Sequence, residues 1–292
     1  MAERNAKLIL MVGVLGVSAS AILVRFSQAP SGVTAAYRLG WTVLLLLPVV
    51  LLRCRAELRR VTARDLVLCG ASGVLLALHF LTWFESLKRT SVASSTVLVS
   101  TEVIFPAMGF ALFLHGKIPR LGVWAILLAF GGSALLALSG GGGAGGLSGN
   151  LLALAAASAA AVYTLIGRVQ RGHLSTTVYT FLTYLACFLT LLLGTAAAGT
   201  PLTGYGGREW LIGLALAVLC TLLGHSLFSW CLKYLSPSYV SAAKLCEPVF
   251  SSLAAIPLFG EVPGPLQLAG GAAVLGAVLL YTWAECEKTP AG

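Results

Sequence analysis

The chain has 292 residues, of which 58% are apolar and only 10% are charged. Soluble domains carry about 25% charged residues, so this composition excludes a soluble globular protein and predicts a polytopic helical membrane protein. The net charge of +9 does not indicate nucleic-acid binding, because the basic residues concentrate in alternate loops between apolar segments.

Ten apolar segments follow one another along the chain. One set lies near 8–26, 32–52, 66–86, 92–114 and 121–139, and a second near 150–168, 176–198, 210–232, 239–259 and 265–284. Each is close to the ~20 residues that a helix needs to cross a bilayer. The glycine-rich stretch between the sets is a flexible linker by composition. We therefore predict an all-α polytopic membrane protein with a first repeat at 1–139, a linker at 140–149 and a second repeat at 150–292.

The positions of the basic residues predict the topology. With the N-terminus inside, thirteen Lys and Arg residues lie in cytoplasmic segments and four in outer loops: Arg25, Lys88, Arg89 and Arg208. Positive charge marks the cytoplasmic side, so we expect a cell (inner) membrane protein with both termini in the cytoplasm. Five spans in each half make the halves inverted repeats. The apolar run at 8–24 continues past a signal-like stretch at 18–21, so we expect a transmembrane helix and no cleaved signal peptide.

Two glutamates lie deep in apolar segments at matching positions of the two halves. An ungapped offset of 145 residues aligns Leu87, Lys88, Ser91, Glu102 and Phe105 with Leu232, Lys233, Ser236, Glu247 and Phe250. A carboxylate in hydrocarbon is costly and normally faces a protein interior or a water-filled path. Prolines follow both glutamates, and bent helices that carry midplane carboxylates are typical of transporter sites. A glutamate that only hydrogen-bonds to a neighbouring helix is the structural alternative.

Several motifs resemble the EamA-type transporters of the drug/metabolite transporter (DMT) superfamily. They are TSVASS at 90–95, GHSLFSW at 224–230, LSPSYVSAAKLCEP at 235–248 and GE at 260–261. The resemblance covers both halves and implies transport, commonly outward, of amino acids, other metabolites or toxic compounds. The chain departs from the family pattern at 115–117, where HGK replaces an acidic residue that the second half retains as Glu261.

Two basic residues lie inside the predicted spans. Arg38, about six residues into span two, either extends to the membrane interface or faces an anion or a glutamate. Lys244 shares a helix face with Glu247, and it either neutralises that glutamate as a structural pair or binds a substrate carboxylate. We expect this lysine to make Glu247 the paired carboxylate and Glu102 the group that exchanges protons, which makes protons a candidate coupling ion.

Aromatic and imidazole side chains complete the predicted substrate-binding site. His79 and Trp83 share a face of span three, His225 lies in span eight, and Tyr163 lies midway along span six. A core histidine satisfied by a hydrogen bond is the structural alternative. Histidines in both halves, each with a tryptophan nearby, favour the lining of a cavity, and aromatic walls bind planar or cationic groups. The seven cysteines form no CxxC pair, so we expect free thiols and no metal site or cofactor.

These features predict a secondary transporter, and not an enzyme. It would export small metabolites such as amino acids by alternating access around a midplane cavity. Its expected partners are a small-molecule substrate, the lipid bilayer and protons, without nucleic acid, and no GxxxxGK[ST] run indicates ATP use. One alternative is an uncoupled uniporter. Another is an intramembrane serine protease built on GASG at 70–73, with Ser72 as nucleophile and His225 as base.

Overall fold

The computed structural model describes residues 2–105, 120–139, 146–170, 172–225 and 245–286, together with 227, 231 and 243. Regular secondary structure in these residues is helical throughout. The α-helices are α1 (Ala2–Phe26), α2 (Ser31–Arg53), α3 (Arg55–Leu58), α4 (Ala63–Arg89), α5 (Val92–Val99), α6 (Arg120–Leu138), α7 (Gly146–Gln170), α8 (Thr176–Ala197), α9 (Gly207–Ala215), α10 (Cys246–Phe259) and α11 (Pro265–Cys286).

Six helices of the described residues are long and apolar enough to cross a membrane, and they lie in α1, α2, α4, α7, α8 and α9 with its continuation. Three shorter apolar helices lie in α6, α10 and α11. Large apolar side chains such as Leu52, Leu193 and Leu211 are exposed on the outside of the bundle, as expected for a lipid-facing surface. The all-helical membrane fold is confirmed. The count of ten spans stays a prediction, because parts of predicted spans four, eight and nine lie outside the described residues.

Hydroxyl side chains fix where several of these helices begin. Thr62 accepts a hydrogen bond from the Asp65 amide, and Asp65 bonds back to the Thr62 amide, which forms a complete capping box at the start of α4. Ser91 caps α5 through the Ser94 amide, and Ser175 caps α8 through the Val178 amide. These caps satisfy amide groups that a helix leaves unpaired in its first turn.

Small residues allow the helices to approach closely where the two halves meet. A Cβ atom on Gly73 of α4 would lie 2.5 Å from the Ala186 Cβ and 2.7 Å from the Cys187 amide nitrogen of α8. Similarly, a Cβ on Gly132 of α6 would lie 2.8 Å from the Gly270 carbonyl oxygen of α11. Lipid chains are as apolar as the side chains, so no hydrophobic effect drives helices together within the membrane. Membrane helices associate instead through close packing of this kind.

Two helices change geometry along their length. α5 continues as a 3₁₀-helix, Ser100–Val103, and α9 continues as a π-helix, Leu216–His225. In the first, the Ser100 and Thr101 hydroxyls bond back to the carbonyls of Thr96 and Leu98, an arrangement that bends helices. This back-bonding accompanies the change to 3₁₀ geometry. Pro106 lies outside the described residues, so the bend that the sequence pattern attributes to it stays a prediction.

Substitution at Gly73 tests the close packing of α4 on α8. Gly73→Ala places a methyl group against backbone atoms, so we expect overpacking to cost about 1–3 kcal/mol of stability. Gly70→Ala, one turn earlier on the same helix, meets no atom within 4 Å and is the matched control. Thermal unfolding of the purified variants in detergent measures the effect. Equal melting temperatures for the two variants would contradict the packing.

Candidate functional site

The most deeply buried charged side chain in the described residues is Arg38, on α2. Only 3% of the residue is exposed. Its Nε donates to the Thr221 hydroxyl at 2.9 Å, and its Nη1 donates to the Ser20 hydroxyl at 3.0 Å. Its guanidinium carbon also lies 4.5 Å from the centre of the Phe80 ring. Arg38 therefore points into the protein, which decides against the interfacial position that the sequence left open.

The Arg38 guanidinium brings together elements from both halves of the chain. Ser20 is on α1, Phe80 is on α4, and Thr221 is in the π-helical continuation of α9. The Glu247 carboxylate, on α10, also interacts electrostatically with this guanidinium. This interaction is the smallest of the electrostatic contributions at this site, so the guanidinium is held mainly by the two hydroxyls and the Phe80 ring.

Thr221 reaches Arg38 because α9 widens into a π-helix. Its hydroxyl also bonds to the carbonyl of Leu216, five residues earlier, as π-helical geometry provides. Single-turn π-bulges occur frequently at functional sites, where they redirect a side chain. Sequence analysis missed both Thr221 and Ser20, since ordinary 3.6-residue periodicity gives no sign of the change in register.

His79 and Trp83 form an aromatic pair beside Arg38. Both are nearly buried, with 9% and 5% of each residue exposed, and their rings stack at 5.8 Å between centroids. The His79 Nδ1 lies 3.0 Å from the Ala156 carbonyl oxygen of α7. A carbonyl only accepts, so Nδ1 is the donor and, in the neutral ring, Nε2 is left as an acceptor. His79 is therefore hydrogen-bonded in the core, as the structural alternative expects, and it also stacks on Trp83 to form an aromatic surface.

The Trp83 indole is a buried hydrogen-bond donor without an acceptor among the described residues. Its Nε1 is inaccessible to solvent and makes no hydrogen bond within the part of the chain that the structure describes. An unpaired buried donor costs about 1–3 kcal/mol, so such groups usually have a reason to persist.

The two predicted glutamates occupy different local environments. Glu102 is half-buried in the 3₁₀ segment and interacts electrostatically with His79. Glu247 lies in the first turn of α10, where the helix dipole favours a negative charge. Through His79 and Arg38, which also interact electrostatically with each other, both glutamates belong to one group of charged and polar side chains. We call Arg38, His79, Trp83, Glu102 and Glu247 the central cluster.

The structure gives less detail on the three remaining predicted site residues. Tyr163, on α7, is partly buried and packs against the main apolar core. His225 ends the π-helical segment, and its side chain lies outside the described residues, as does all of Lys244. The predicted Lys244–Glu247 pair therefore stays a prediction.

Ser72, the nucleophile of the protease alternative, packs inside the helix bundle. It is fully buried, and its hydroxyl hydrogen-bonds to the Tyr179 phenol at 2.7 Å. The neighbouring Gly73 makes the close contact with α8 described above. Ser72 and Gly73 thus pack against α8, whereas Gly70 meets no atom within 4 Å.

The structure also contains a cavity of about 340 Å³ at one end of the bundle. Its lining includes Arg25, Lys88, Arg89 and Glu261, and none of the central cluster. Arg25 and Glu261 form an ion pair of 2.6 Å. Sequence analysis identified Glu261 only as part of a family motif.

Curated relatives of this chain are transporters. The pseudopaline exporter CntI of Pseudomonas aeruginosa is 24% identical over 207 residues, which cover 71% of this chain and 72% of that protein. A protein of Archaeoglobus fulgidus described as an uncharacterized transporter is 36% identical over 100 residues, or 34% of this chain and 36% of its own length.

A solved crystal structure shares the fold. It superposes with a TM-score of 0.60, covers 96% of this chain and 98% of its own, and is 18% identical in sequence. The sequence profile described as the EamA-like transporter family matches residues 5–138 and again residues 147–283. The chain therefore belongs to the EamA-like transporter family and is a multi-pass membrane protein with two such repeats.

Proposed function

We propose that this protein is a secondary transporter that exports small metabolites such as amino acids. Its site is the central cluster together with Tyr163, His225 and Lys244, and it works by alternating access of two inverted repeats. The protein would lie in the cell (inner) membrane with ten spans, a linker at 140–149 and both termini in the cytoplasm. The single observation that carries the proposal is the buried Arg38, held by residues from both repeats.

Burial of Arg38 supports a binding role. Charged residues inside membrane spans are costly and commonly mark substrate or ion pathways. The guanidinium presents five donors, of which a carboxylate can engage two at once. In this structure neutral hydroxyls and an aromatic face contact the guanidinium, and a carboxylate would be a stronger hydrogen-bond partner than either. Arg38 is thus suited to bind a substrate carboxylate.

The rest of the central cluster suits the other end of a zwitterion. Glu102 and Glu247 can bind an ammonium group, and the His79–Trp83 stack provides an aromatic surface for a side chain or a cation. The buried Trp83 indole adds a directional donor. A substrate with both a carboxylate and an amino group would meet complementary charges here, whereas an uncharged substrate would leave them unmatched.

Inverted repeats support a mechanism in which the halves rock about this cluster. Arg38, His79 and Glu102 come from the first repeat, and Thr221 and Glu247 come from the second. In the present structure Arg38, His79 and Trp83 are almost inaccessible, which corresponds to a closed state. Rotation of one repeat relative to the other would expose the cluster to one side at a time. The curated relative named as an exporter supports an outward direction.

A screen would identify the substrate. We expect cells that express the protein to release at least one amino acid or related amino-carboxylate metabolite faster than cells with the Arg38→Gln variant. Release of only uncharged compounds or of cations without a carboxylate would contradict the proposed use of Arg38.

Arg38 is expected to be essential for transport. Loss of a charge-assisted hydrogen bond to the substrate costs about 1.5–3 kcal/mol, so Arg38→Gln should lower the transport rate at low substrate concentration by about tenfold or more. Arg38→Lys should retain part of the activity. Arg53→Gln, at the exposed end of the same helix, is the matched control and should behave like wild type. The measurement is initial flux into liposomes at equal amounts of folded protein.

The two glutamates are expected to act differently. Glu247→Gln should impair flux while leaving folding and insertion intact, because the amide keeps the shape of the side chain but removes the charge that an ammonium group of the substrate would meet. Normal flux in this variant would exclude a direct role. Asp65→Asn, at the third residue of the α4 capping box and outside the central cluster, is the control, since its amide oxygen can still accept from the Thr62 amide.

A proton gradient separates coupled transport from the uniporter alternative. If Glu102 exchanges protons for substrate, substrate flux into wild-type liposomes should increase with an outward proton gradient, and Glu102→Gln should respond to the substrate gradient alone. Equal flux with and without the gradient in the wild type would favour the uniporter.

Substitution of Ser72 tests the protease alternative. Ser72→Ala should leave transport unimpaired, and a proteolytic activity that Ser72→Ala abolishes would support the protease.

A further inference from the structure

The cavity at the end of the bundle is separate from the central cluster. Residues from α1, α4, α5, α10, the α10–α11 loop and α11 line it, including Arg25, Lys88, Ser91, Ser252, Glu261 and Gln267. Its volume of about 340 Å³ is at the lower end of the range for small-molecule sites. The proposed topology assigns this end to the outer side of the membrane.

The lining of the cavity carries an excess of positive charge. Arg25, Lys88 and Arg89 contribute three cations and Glu261 contributes one carboxylate, while the Arg89 guanidinium is also paired with Glu85, outside the lining, at 2.7 Å. One cation therefore remains in excess. A concave surface with one dominant sign of charge concentrates ions of the opposite sign. The cavity is therefore electrostatically suited to a small anion.

The Glu261 carboxylate shows how this cavity holds an anion. Its Oε1 accepts from the Arg25 Nη2 at 2.6 Å, and its Oε2 accepts from the Val92 amide at 2.8 Å. The same guanidinium donates through Nη1 to the carbonyls of Leu87 and Thr90, at the end of α4. Both oxygens of one carboxylate are thus recognised, by a guanidinium and by the first amide of α5.

This arrangement can be exchanged for an external ligand. The side chains of Arg25 and Glu261 are 28% and 19% exposed, so solutes can reach the ion pair. The Lys88 ammonium donates to the Ala29 carbonyl at 2.6 Å, and an ammonium has three donors. Gln267 donates to the Ser91 and Ser94 hydroxyls at 3.0 and 3.1 Å, which places further polar groups beside the pair.

We propose that this cavity is a second binding site, specific for the carboxylate group of a small soluble metabolite, which replaces Glu261 on Arg25. A free carboxylate fits better than a lipid phosphate because the site already binds a planar, two-oxygen anion. The apolar lining is also limited to Ala93, Ala255, Val262 and Pro263, which offer little surface for acyl chains. We interpret the cavity as a release site for exported substrate, and this role rests on the function proposed above.

Exchange at Arg25 would also loosen the contact between the two repeats at this end. Glu261 joins the α10–α11 loop to α1 and α5, so losing its partner releases that loop. Next to the pair, the rings of Phe26 and Phe259 are in contact at 5.0 Å, and Arg25 lies 5.8 Å from the Phe259 ring centre. Binding of the substrate carboxylate at Arg25 would thus favour opening of the bundle at this end, where the substrate is released.

Carboxylate binding to the purified protein in nanodiscs of zwitterionic lipid tests the proposal without measuring transport. Acetate replaces chloride at constant ionic strength, acetamide is the neutral isostere, and the melting temperature is recorded. We expect acetate, and not acetamide, to raise the melting temperature in a saturable manner. Arg25→Gln should weaken the apparent acetate affinity by about tenfold or more, since a charge-assisted pair is lost. Glu261→Gln should strengthen it by about tenfold, because the internal competitor loses its charge while its amide oxygen still accepts from Val92.

Two further variants locate the bound anion. Lys88→Gln should weaken acetate binding, and it keeps the test informative if Arg25→Gln does not fold. Arg53→Gln, at the exposed end of α2 and outside both this cavity and the central cluster, should leave the acetate response unchanged. The proposal is wrong if acetate and acetamide act alike, if Arg25→Gln and Lys88→Gln respond like wild type, or if Arg38→Gln alone abolishes the effect. A response to glycerol phosphate without one to acetate would instead indicate a lipid headgroup site and overturn the proposal.

Discussion

The interaction on which the rest of this structure depends is the burial of the Arg38 guanidinium among helices from both repeats. A cation within a membrane span is costly unless hydrogen bonds and nearby charges compensate it. Ser20 and Thr221 supply hydrogen bonds, Phe80 supplies an aromatic face, and Glu247 supplies negative charge. Because these groups come from four helices, Arg38 is stable in this position only when the helices are packed as they are here. The same cation that holds the closed arrangement together is thus the one that a substrate can compete for.

A second charged interaction closes the structure at one end, and it follows the same physical principle. Arg25 and Glu261 link the two repeats, and each also satisfies backbone groups at the break between α4 and α5. In both places a basic residue of the first repeat is paired with a group of the second. A ligand with a carboxylate can therefore act on both contacts in turn, first at the centre and then at the end of the bundle. In the proposed export, the substrate would therefore move from the central cluster to the Arg25 cavity.

Much of the fold could be predicted from the sequence, because apolar length and basic-residue positions determine membrane spans. The helices α2, α8 and α11 begin and end within two residues of their predicted spans. The same pattern indicated Arg38, His79 and both glutamates, since charged and polar residues are rare in apolar segments. It could not decide whether Arg38 faced inward, because that depends on partners distant in sequence. It also missed Ser20 and Thr221, because their contact with Arg38 joins residues distant in sequence. The π-helix that carries Thr221 packs closely against α1, where a Cβ on Gly16 would lie 2.9 Å from the Leu219 carbonyl oxygen.

The central claim is that Arg38 binds the substrate carboxylate between the repeats, and an experimental structure with a transported metabolite bound tests it most directly. The claim predicts a carboxylate within about 3 Å of the Arg38 guanidinium, the usual length of a charge-assisted hydrogen bond, with the rest of the molecule against Trp83 and a glutamate of the central cluster. A metabolite bound between the repeats without contact to Arg38, with Arg38 still hydrogen-bonded to Ser20 and Thr221, would contradict it.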